Sequence, residues 1–296
     1  MTKVRSRNDS MIDDRRSGGG RGGFPGGGGG GFPFPMKAGG GLIGVLVMVA
    51  ALVLPRLLGA DAQSVAGGQP GAPSADSVDG TCSSELEQVI CGATADVQNY
   101  WATALPTFFN TQYPATKTVF FTGSVSTGCG NATSQTGPFY CPADSFVYLD
   151  LEFLQQLEQQ LVGTTADLAE QYIVAHEFGH HVQNVLGTNA QVQEAQQNDP
   201  ARANQFSIAL ELQADCYAGA WVGDVAARNQ LDSSGEIAEA LAAAEGVGDD
   251  RIQEKTQGRI DPEAWTHGSA EQRQSWFMTG YNSVDPSRCD TFSEIL

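Results

Sequence analysis

The chain has 296 residues, with 34 acidic and 16 basic side chains and a formal net charge of −18 at pH 7. This excess of carboxylates argues against a nucleic-acid partner, because phosphate contacts need clusters of Lys and Arg. The length is enough for one domain with a sizeable hydrophobic core. We therefore predict one main globular unit that does not bind nucleic acid.

The N-terminal part of the chain predicts a tail followed by a membrane anchor. Residues 1–41 are dominated by Gly, Arg, Ser and Pro, a composition that buries too little apolar surface to fold, so they predict a disordered tail. The run Leu42–Leu54 is continuously apolar, and no charge occurs from Ala38 to Pro55. This is about the shortest stretch that crosses a bilayer as a helix, and we predict a transmembrane helix at residues 42–60.

Charges around the apolar run predict the orientation of this anchor. Seven Lys and Arg precede the run against three Asp, so the positive-inside rule places the N-terminus in the cytoplasm and the rest outside, as a single-pass protein. The alternative is a cleaved signal peptide with Ala60-Asp61-Ala62 at its cleavage site. Both interpretations export the part after Arg56, which carries eight basic and 31 acidic residues, a formal charge of −23.

The exported part divides into a linker and a folded domain. Residues 61–80 are rich in Gly, Ala, Ser and Pro and predict a flexible linker, and residues 81–296 predict the domain. Its class is α+β, dominated by helices, with a small sheet beside the motif helix described below. The strand at Phe146–Leu149 has an edge that could pair with a substrate backbone. Predicted helices lie near 84–110, 200–229, 234–246 and 271–281, and predicted strands near 117–123 and 145–150.

All six cysteines follow the apolar run, where an oxidising compartment would preserve disulfides. Proximity in the sequence favours the pairs Cys82–Cys91 and Cys129–Cys141. The remaining pair, Cys216–Cys289, would tie a predicted helix to the C-terminal tail. A cysteine zinc site is the alternative, but no Cys-x-x-Cys spacing supports it.

The segment His176-Glu177-Phe178-Gly179-His180 matches the H-E-x-x-H motif of zinc peptidases. Residues four apart share one face of a helix, so the two imidazoles can bind one Zn²⁺. Glu177 is placed as the general base that takes a proton from the attacking water. Asp167 near the start and Gly187 after the end favour one helix across the motif. The alternative is a helix that carries two histidines for no chemical reason.

A later helix offers the third ligand. Asp199 and Pro200 predict a helix start, and Glu211 and Asp215 then share one face of that helix. Two acids on an apolar face are costly unless they are paired or bind a metal. We therefore predict Glu211 as a zinc ligand and Asp215 as the acceptor of an N–H from a ligand histidine. The alternative is a pair of solvated acids on an exposed stripe.

These motifs together resemble a known family. H-E-x-x-H followed by E-x-x-x-D on a later helix is the gluzincin pattern, and the chain is similar to bacterial neutral zinc metallopeptidases from about Cys82 to its C-terminus. The resemblance implies a gluzincin-like domain, a zinc-dependent peptidase activity and an N-terminal membrane anchor. Further segments that carry it are Asp13–Arg16, Gly137–Asp144, Val147–Asp150, Glu211–Gly219 and His267–Arg273.

Several other polar residues are candidates for the site. His267 lies in a predicted loop and could donate a hydrogen bond to the oxyanion of the tetrahedral intermediate, or could have no role. Tyr140 is a weaker candidate for the same task, and Arg273 could equally be a structural ion-pair partner. His181 points about 100° away from His180 around the helix, which favours a supporting or surface position over a ligand.

The sequence thus predicts a membrane-anchored, extracytoplasmic zinc endopeptidase that acts on peptide or protein substrates. One alternative is a zinc-stabilised binding or scaffold domain of the cell envelope without catalytic activity. Another is an exported, disulfide-bonded domain that holds no metal. The oligomeric state is not predicted.

Overall fold

The computed structural model describes residues 3–16, 81–161, 167–231, 235–246, 248–251, 253 and 260–293. The predicted anchor at 42–60 and the linker at 61–80 lie outside these residues. Within the described ranges, no helix is both long and apolar enough to cross a membrane.

The architecture is α+β and dominated by helices, as the sequence predicts. The helices are α1 (Glu85–Phe109), α2 (Leu151–Leu161), α3 (Asp167–Leu186), α4 (Thr188–Asn198), α5 (Ala203–Ala227), α6 (Gly235–Gly246) and α7 (Ala270–Ser283); the strands are β1 (Ile12–Asp14), β2 (Thr118–Phe121), β3 (Ser124–Thr127), β4 (Gly130–Thr133), β5 (Phe139–Cys141) and β6 (Phe146–Asp150).

The strands form a four-stranded sheet in the order β1-β2-β6-β5 and a separate β3-β4 hairpin. The predicted helices and strands are present, whereas β1, β3, β4, β5, α2 and α4 were not predicted.

Helices α3 and α5, which carry the predicted ligands, pack directly on each other. Gly179 lies at the contact, where a Cβ would be 3.0 Å from the Cα of Ala214. A larger residue at this position would push the two helices apart. The glycine inside the H-E-x-x-H motif therefore has a packing role: it brings the histidines of α3 close to the acids of α5.

Helices α5 and α7 approach each other even more closely. A Cβ on Gly219 would lie 1.9 Å from the carbonyl oxygen of Phe277, and one on Gly280 would lie 1.9 Å from that of Cys216. Only glycine fits such a backbone-to-backbone contact. This crossing brings Arg273, near the start of α7, to Asp215 in the middle of α5.

All three predicted disulfides are confirmed. Cys82 pairs with Cys91, Cys129 with Cys141, and Cys216 with Cys289. The last of these ties the residue after Asp215 to the C-terminal tail across 73 positions of sequence. It therefore restrains the helix that carries two of the predicted site residues.

The prediction that residues 1–41 are wholly disordered is wrong for residues 3–16. Val4 is only 5% exposed, and β1 pairs in parallel with β2. The physical reason is composition: the glycines begin at Gly18, while the preceding residues supply Val4 and Ile12 as apolar anchors. The average composition of residues 1–41 does not show this difference between the first residues and the glycine-rich part.

The expected substrate-pairing edge is also corrected. β6, which contains Phe146–Leu149, lies between β2 and β5 and so has no free edge. The edge strand on this side is β5, a three-residue strand antiparallel to β6. A strand this short leaves no alternating pattern in the sequence, which is why it was not predicted.

Candidate metal centre

Three predicted ligands converge at the contact between α3 and α5. One ligand atom from each of His176, His180 and Glu211 lies within 4.8 Å of the others. Nε2 of His176 is 3.2 Å from Oε2 of Glu211, and Nε2 of His180 is 3.5 Å from Oε1. Donors about 2.0–2.1 Å from a tetrahedral zinc would be about 3.3 Å apart, so this donor set fits the ion.

Asp215 orients His176, as the sequence predicts. Its Oδ1 accepts a hydrogen bond from Nδ1 of His176 at 2.9 Å, which leaves Nε2 facing the other ligands. Asp215 is fully buried and also accepts two hydrogen bonds from the guanidinium of Arg273, at 2.7 and 2.8 Å, and one from the hydroxyl of Tyr172. Arg273 is therefore an ion-pair partner of the carboxylate behind the first ligand.

Electrostatics keep this cluster charged in spite of its burial. Burial would raise the pKa of Asp215, but attraction to Arg273 and His176 outweighs it and lowers that pKa to about 2. Burial would also raise the pKa of Glu211, and the pair of histidines holds it well below its usual value. Both acids are therefore carboxylates at neutral pH, as ligation and its support require.

His180 has a different supporting residue, Gln183, which was not predicted. Nδ1 of His180 donates to Oε1 of Gln183 at 2.8 Å, so Nε2 of this ligand also faces the metal position. The amide nitrogen of Gln183 donates to the carbonyl of Leu210 at 2.7 Å and to Oε1 of Gln213 at 3.1 Å, both on α5. Gln183 is fully buried and thus links the second ligand histidine to the helix that carries Glu211.

Replacing Gln183 by alanine is expected to weaken zinc binding by ~10–100-fold, the usual effect of removing the hydrogen-bond partner of a ligand histidine. Leaving Oε1 of the buried Gln213 without the donor that Gln183 provides should also reduce the free energy of unfolding by about 1–3 kcal/mol. Zinc titration against a competing chelator and denaturant unfolding measure the two effects. The control is Gln193→Ala on the exposed face of α4. Zinc affinity equal to that of the control would contradict the supporting role.

Glu177 lies on the same turn of α3 as the two histidines, but it is buried without a hydrogen bond to one of its carboxylate oxygens. It is only 4% exposed, and its Oε2 has no hydrogen-bond partner among the described residues. Burial raises the pKa of Glu177, and the nearby Glu211 adds to this effect. An unsatisfied buried carboxylate oxygen is costly, and in an enzyme site it indicates a group that handles a proton.

His267 lies on the loop before α7, near enough to Glu211 to interact with its charge. Gly268 packs against Leu212 of α5, one residue from Glu211, and the charge of His267 helps to lower the pKa of Glu211. His267 is 3% exposed, and its Nε2 is buried without a hydrogen-bond partner among the described residues.

Asp249, a second unpredicted residue, holds this histidine in place. Its Oδ1 accepts from Nδ1 of His267 at 3.1 Å, and its Oδ2 accepts from the backbone amides of Thr266, His267 and Gly268. With Nδ1 directed at the carboxylate of Asp249, Nε2 is the ring nitrogen that remains without a partner among the described residues. One carboxylate thus fixes both the loop and the imidazole.

Tyr140 and His181 form a separate, structural contact. Nε2 of His181 donates to the carbonyl of Pro114 at 2.8 Å, and the hydroxyl of Tyr140 contacts Nδ1 of His181 and the amide of Asn184. These bonds join β5 to the far side of α3. The hydroxyl of Tyr140, a candidate for stabilising the oxyanion, therefore binds α3 in a structural contact. His181 is a buried supporting residue, and burial lowers its pKa.

A comparison with known families decides which group the chain belongs to. A family model described as "Putative neutral zinc metallopeptidase" matches residues 1–292. The chain belongs to this family. The match includes the ordered N-terminal segment as well as the metal centre.

Similar proteins occur in distant bacteria. The uncharacterized protein YpfJ of Escherichia coli K12 is 39% identical over 302 aligned positions, covering 99% of this chain and 98% of the relative. The uncharacterized proteins Mb2605 of Mycobacterium bovis and Rv2575 of Mycobacterium tuberculosis are 50% identical over 183 positions, covering 58% of this chain and 61% of each relative. No solved structure shows a significant match. Family membership thus implies zinc and suggests hydrolysis.

Proposed function

We propose that this chain is a zinc-dependent endopeptidase that cleaves peptide or protein substrates outside the cytoplasm. The observation that carries the proposal is the buried Oε2 of Glu177, which has no hydrogen-bond partner among the described residues, beside a His-His-Glu donor set. A purely structural zinc site usually has four protein ligands and no need for such a group, whereas a catalytic site has three ligands and an open position.

The chemistry divides between the ion and the chain. Zinc, when bound by His176, His180 and Glu211, would polarise the scissile carbonyl and make water nucleophilic. Glu177 accepts the proton that this water loses and then delivers it to the leaving amine. The raised pKa of Glu177 suits the first step, because it makes the carboxylate a stronger base toward the water.

His267 supplies the third function, stabilisation of the oxyanion. The carboxylate of Asp249 fixes the imidazole through Nδ1, and Nε2, which has no partner among the described residues, can donate to the negative oxygen when it carries a proton. A donor that is already oriented costs no reorganisation as charge develops. His267 therefore acts on the transition state more than on substrate binding.

His267→Ala is expected to lower kcat/KM by about 10²–10³-fold, the usual effect of removing one oxyanion donor. The loss should appear mainly in kcat, and the zinc content should stay at that of the unmodified protein. Asp249→Asn should lower kcat in the same direction, because an amide is a weaker acceptor for Nδ1 of His267 and for the three backbone amides that hold the loop. A small change confined to KM in both variants would remove His267 from the mechanism.

Metal removal tests the proposed activity as a whole. The purified protein should cleave unfolded polypeptide, lose this activity with a strong chelator, and regain it with one equivalent of zinc. A zinc-containing protein without turnover would support the binding-domain alternative, and a protein without zinc would support the metal-free one.

The disulfides support the proposed location outside the cytoplasm. Three disulfides are typical of a domain that works in an oxidising, extracytoplasmic compartment. The high acidic content of the chain suits solubility there. The membrane anchor at residues 42–60 stays a prediction.

A further inference from the structure

The N-terminal segment, residues 3–16, lies along the domain as part of its fold. The backbone amide of Ser6 donates to Gln88 of α1 at 2.9 Å, and the side chain of Gln171 donates to the carbonyl of Val4 at 2.7 Å. Gln171 is a fully buried residue of α3, the helix that carries the H-E-x-x-H motif. The segment thus supports the motif helix one turn or so before its first zinc ligand.

The surface under the segment is shaped to receive it. Gly92 lies inside α1, and a Cβ there would be 2.6 Å from the Cα of Arg5 and from the carbonyl oxygen of Val4. Further along, β1 adds to β2 in parallel, with Ile12 opposite Thr118 and Asp14 opposite Phe120. The domain therefore has both a helix face and a sheet edge that the segment fills.

Ion pairs fasten both ends of the segment. Arg5 pairs with Asp167 of α3 at 2.5 Å, and Arg16 pairs with Glu87 of α1 at 2.5 Å. The carboxylate of Glu87 also caps the start of α1 through the amides of Ser83 and Ser84. Arg5 and Arg16 are two of the cations that the positive-inside rule would count as part of a cytoplasmic tail, and both have acidic partners in the domain.

The segment ends where the rest of the domain begins. The hydroxyl of Thr81 donates to Oδ2 of Asp14 at 3.0 Å. The two described segments that border residues 17–80, the stretch that includes the apolar run, therefore meet at one place. A helix that crossed the membrane once within this stretch would put the two partners of this contact on opposite sides.

We propose that residues 3–16 are an integral strand of the metallopeptidase domain and lie on the same side of the membrane as the metal centre, so that the apolar run Leu42–Leu54 does not separate them. This replaces the predicted topology with a cytoplasmic N-terminus. The charge rule failed because Arg5 and Arg16 are bound by the domain and are not available to interact with a membrane surface.

Hydrogen exchange on the full-length protein tests the docking. The amides of Ser6 and Arg15, which donate to Gln88 and Phe120, should be protected to an extent comparable with the amides of β2. Arg16→Ala should speed their exchange by about 10-fold or more, because it removes a charge-assisted contact. The matched control, Arg7→Ala at an exposed position, should leave it unchanged. Exchange at unfolded rates in the unmodified protein would overturn the proposal.

Antibody access in cells tests the topology. With different tags fused to the two termini of the full chain, both tags should become accessible to antibody from the same side of the membrane. A C-terminal tag reached from outside while the N-terminal tag needs permeabilisation would overturn the proposal. So would a mature chain that begins near Gln63, since cleavage there would remove the segment.

Discussion

Glu177→Gln is expected to leave zinc bound and to reduce peptide cleavage by about 10²–10⁴-fold, the range that general acid–base catalysis contributes. The amide has the same shape as the carboxylate but cannot accept the proton from water or return it to the leaving amine. Glu177 is not one of the three grouped ligands, so zinc content should be unchanged. Metal analysis and single-turnover cleavage on the same preparation measure both quantities.

The stability of this variant provides an independent check. Burial raises the pKa of Glu177, which means that its charged form is disfavoured in the fold. A neutral amide should therefore leave the thermal midpoint unchanged or raise it. Glu152→Gln, at an exposed position of α2, is the control for loss of a negative charge. Normal turnover in zinc-loaded Glu177→Gln protein would refute the assignment of the base.

Asp215→Ala is expected to damage both the metal site and the fold. Loss of the acceptor for Nδ1 of His176 should weaken zinc binding by about 10–100-fold. Loss of both hydrogen bonds to Arg273 should leave the buried guanidinium without this carboxylate, and breaking a buried ion pair typically costs about 3–5 kcal/mol. Competitive zinc titration and denaturant unfolding measure the two effects.

A double variant separates the two effects. Asp215→Ala combined with Arg273→Met also removes the buried positive charge that has lost this carboxylate, and should recover much of the free energy of unfolding. Zinc affinity should stay low, because His176 still lacks its partner. If the single variant binds zinc with normal affinity, Asp215 does not orient the ligand; if the double variant is no more stable than the single one, the buried charge is not the cause of the destabilisation.

The donor set itself could be predicted because it depends on local periodicity. His176 and His180 share a helix face wherever that helix lies, and so do Glu211 and Asp215. Joining the two pairs required only the argument that buried acids need partners. The structure places all four residues together, with Asp215 on His176 specifically.

The supporting residues could not be predicted in the same way. Gln183 follows His180 by three residues and could have been recognised as lying on the same face, but a buried glutamine has no distinctive spacing. Asp249 is eighteen positions from His267, and its contact depends on the loop conformation. Hydrogen bonds between distant segments leave no periodic signal in a sequence.

The sequence by itself determined the helical register of the predicted metal ligands and the helix-dominated class, and it favoured the three disulfide pairs without fixing them. These properties follow from the spacing of residues, the cost of burying charged groups and the positions of the cysteines. Each of these depends on nearby residues or leaves few alternatives. Tertiary structure alone decided that β5, and not β6, is the sheet edge, that Gln183 joins the two ligand helices, and that residues 3–16 complete the sheet through β1. Each of these depends on which distant backbone groups meet, and that is set by packing of the whole chain.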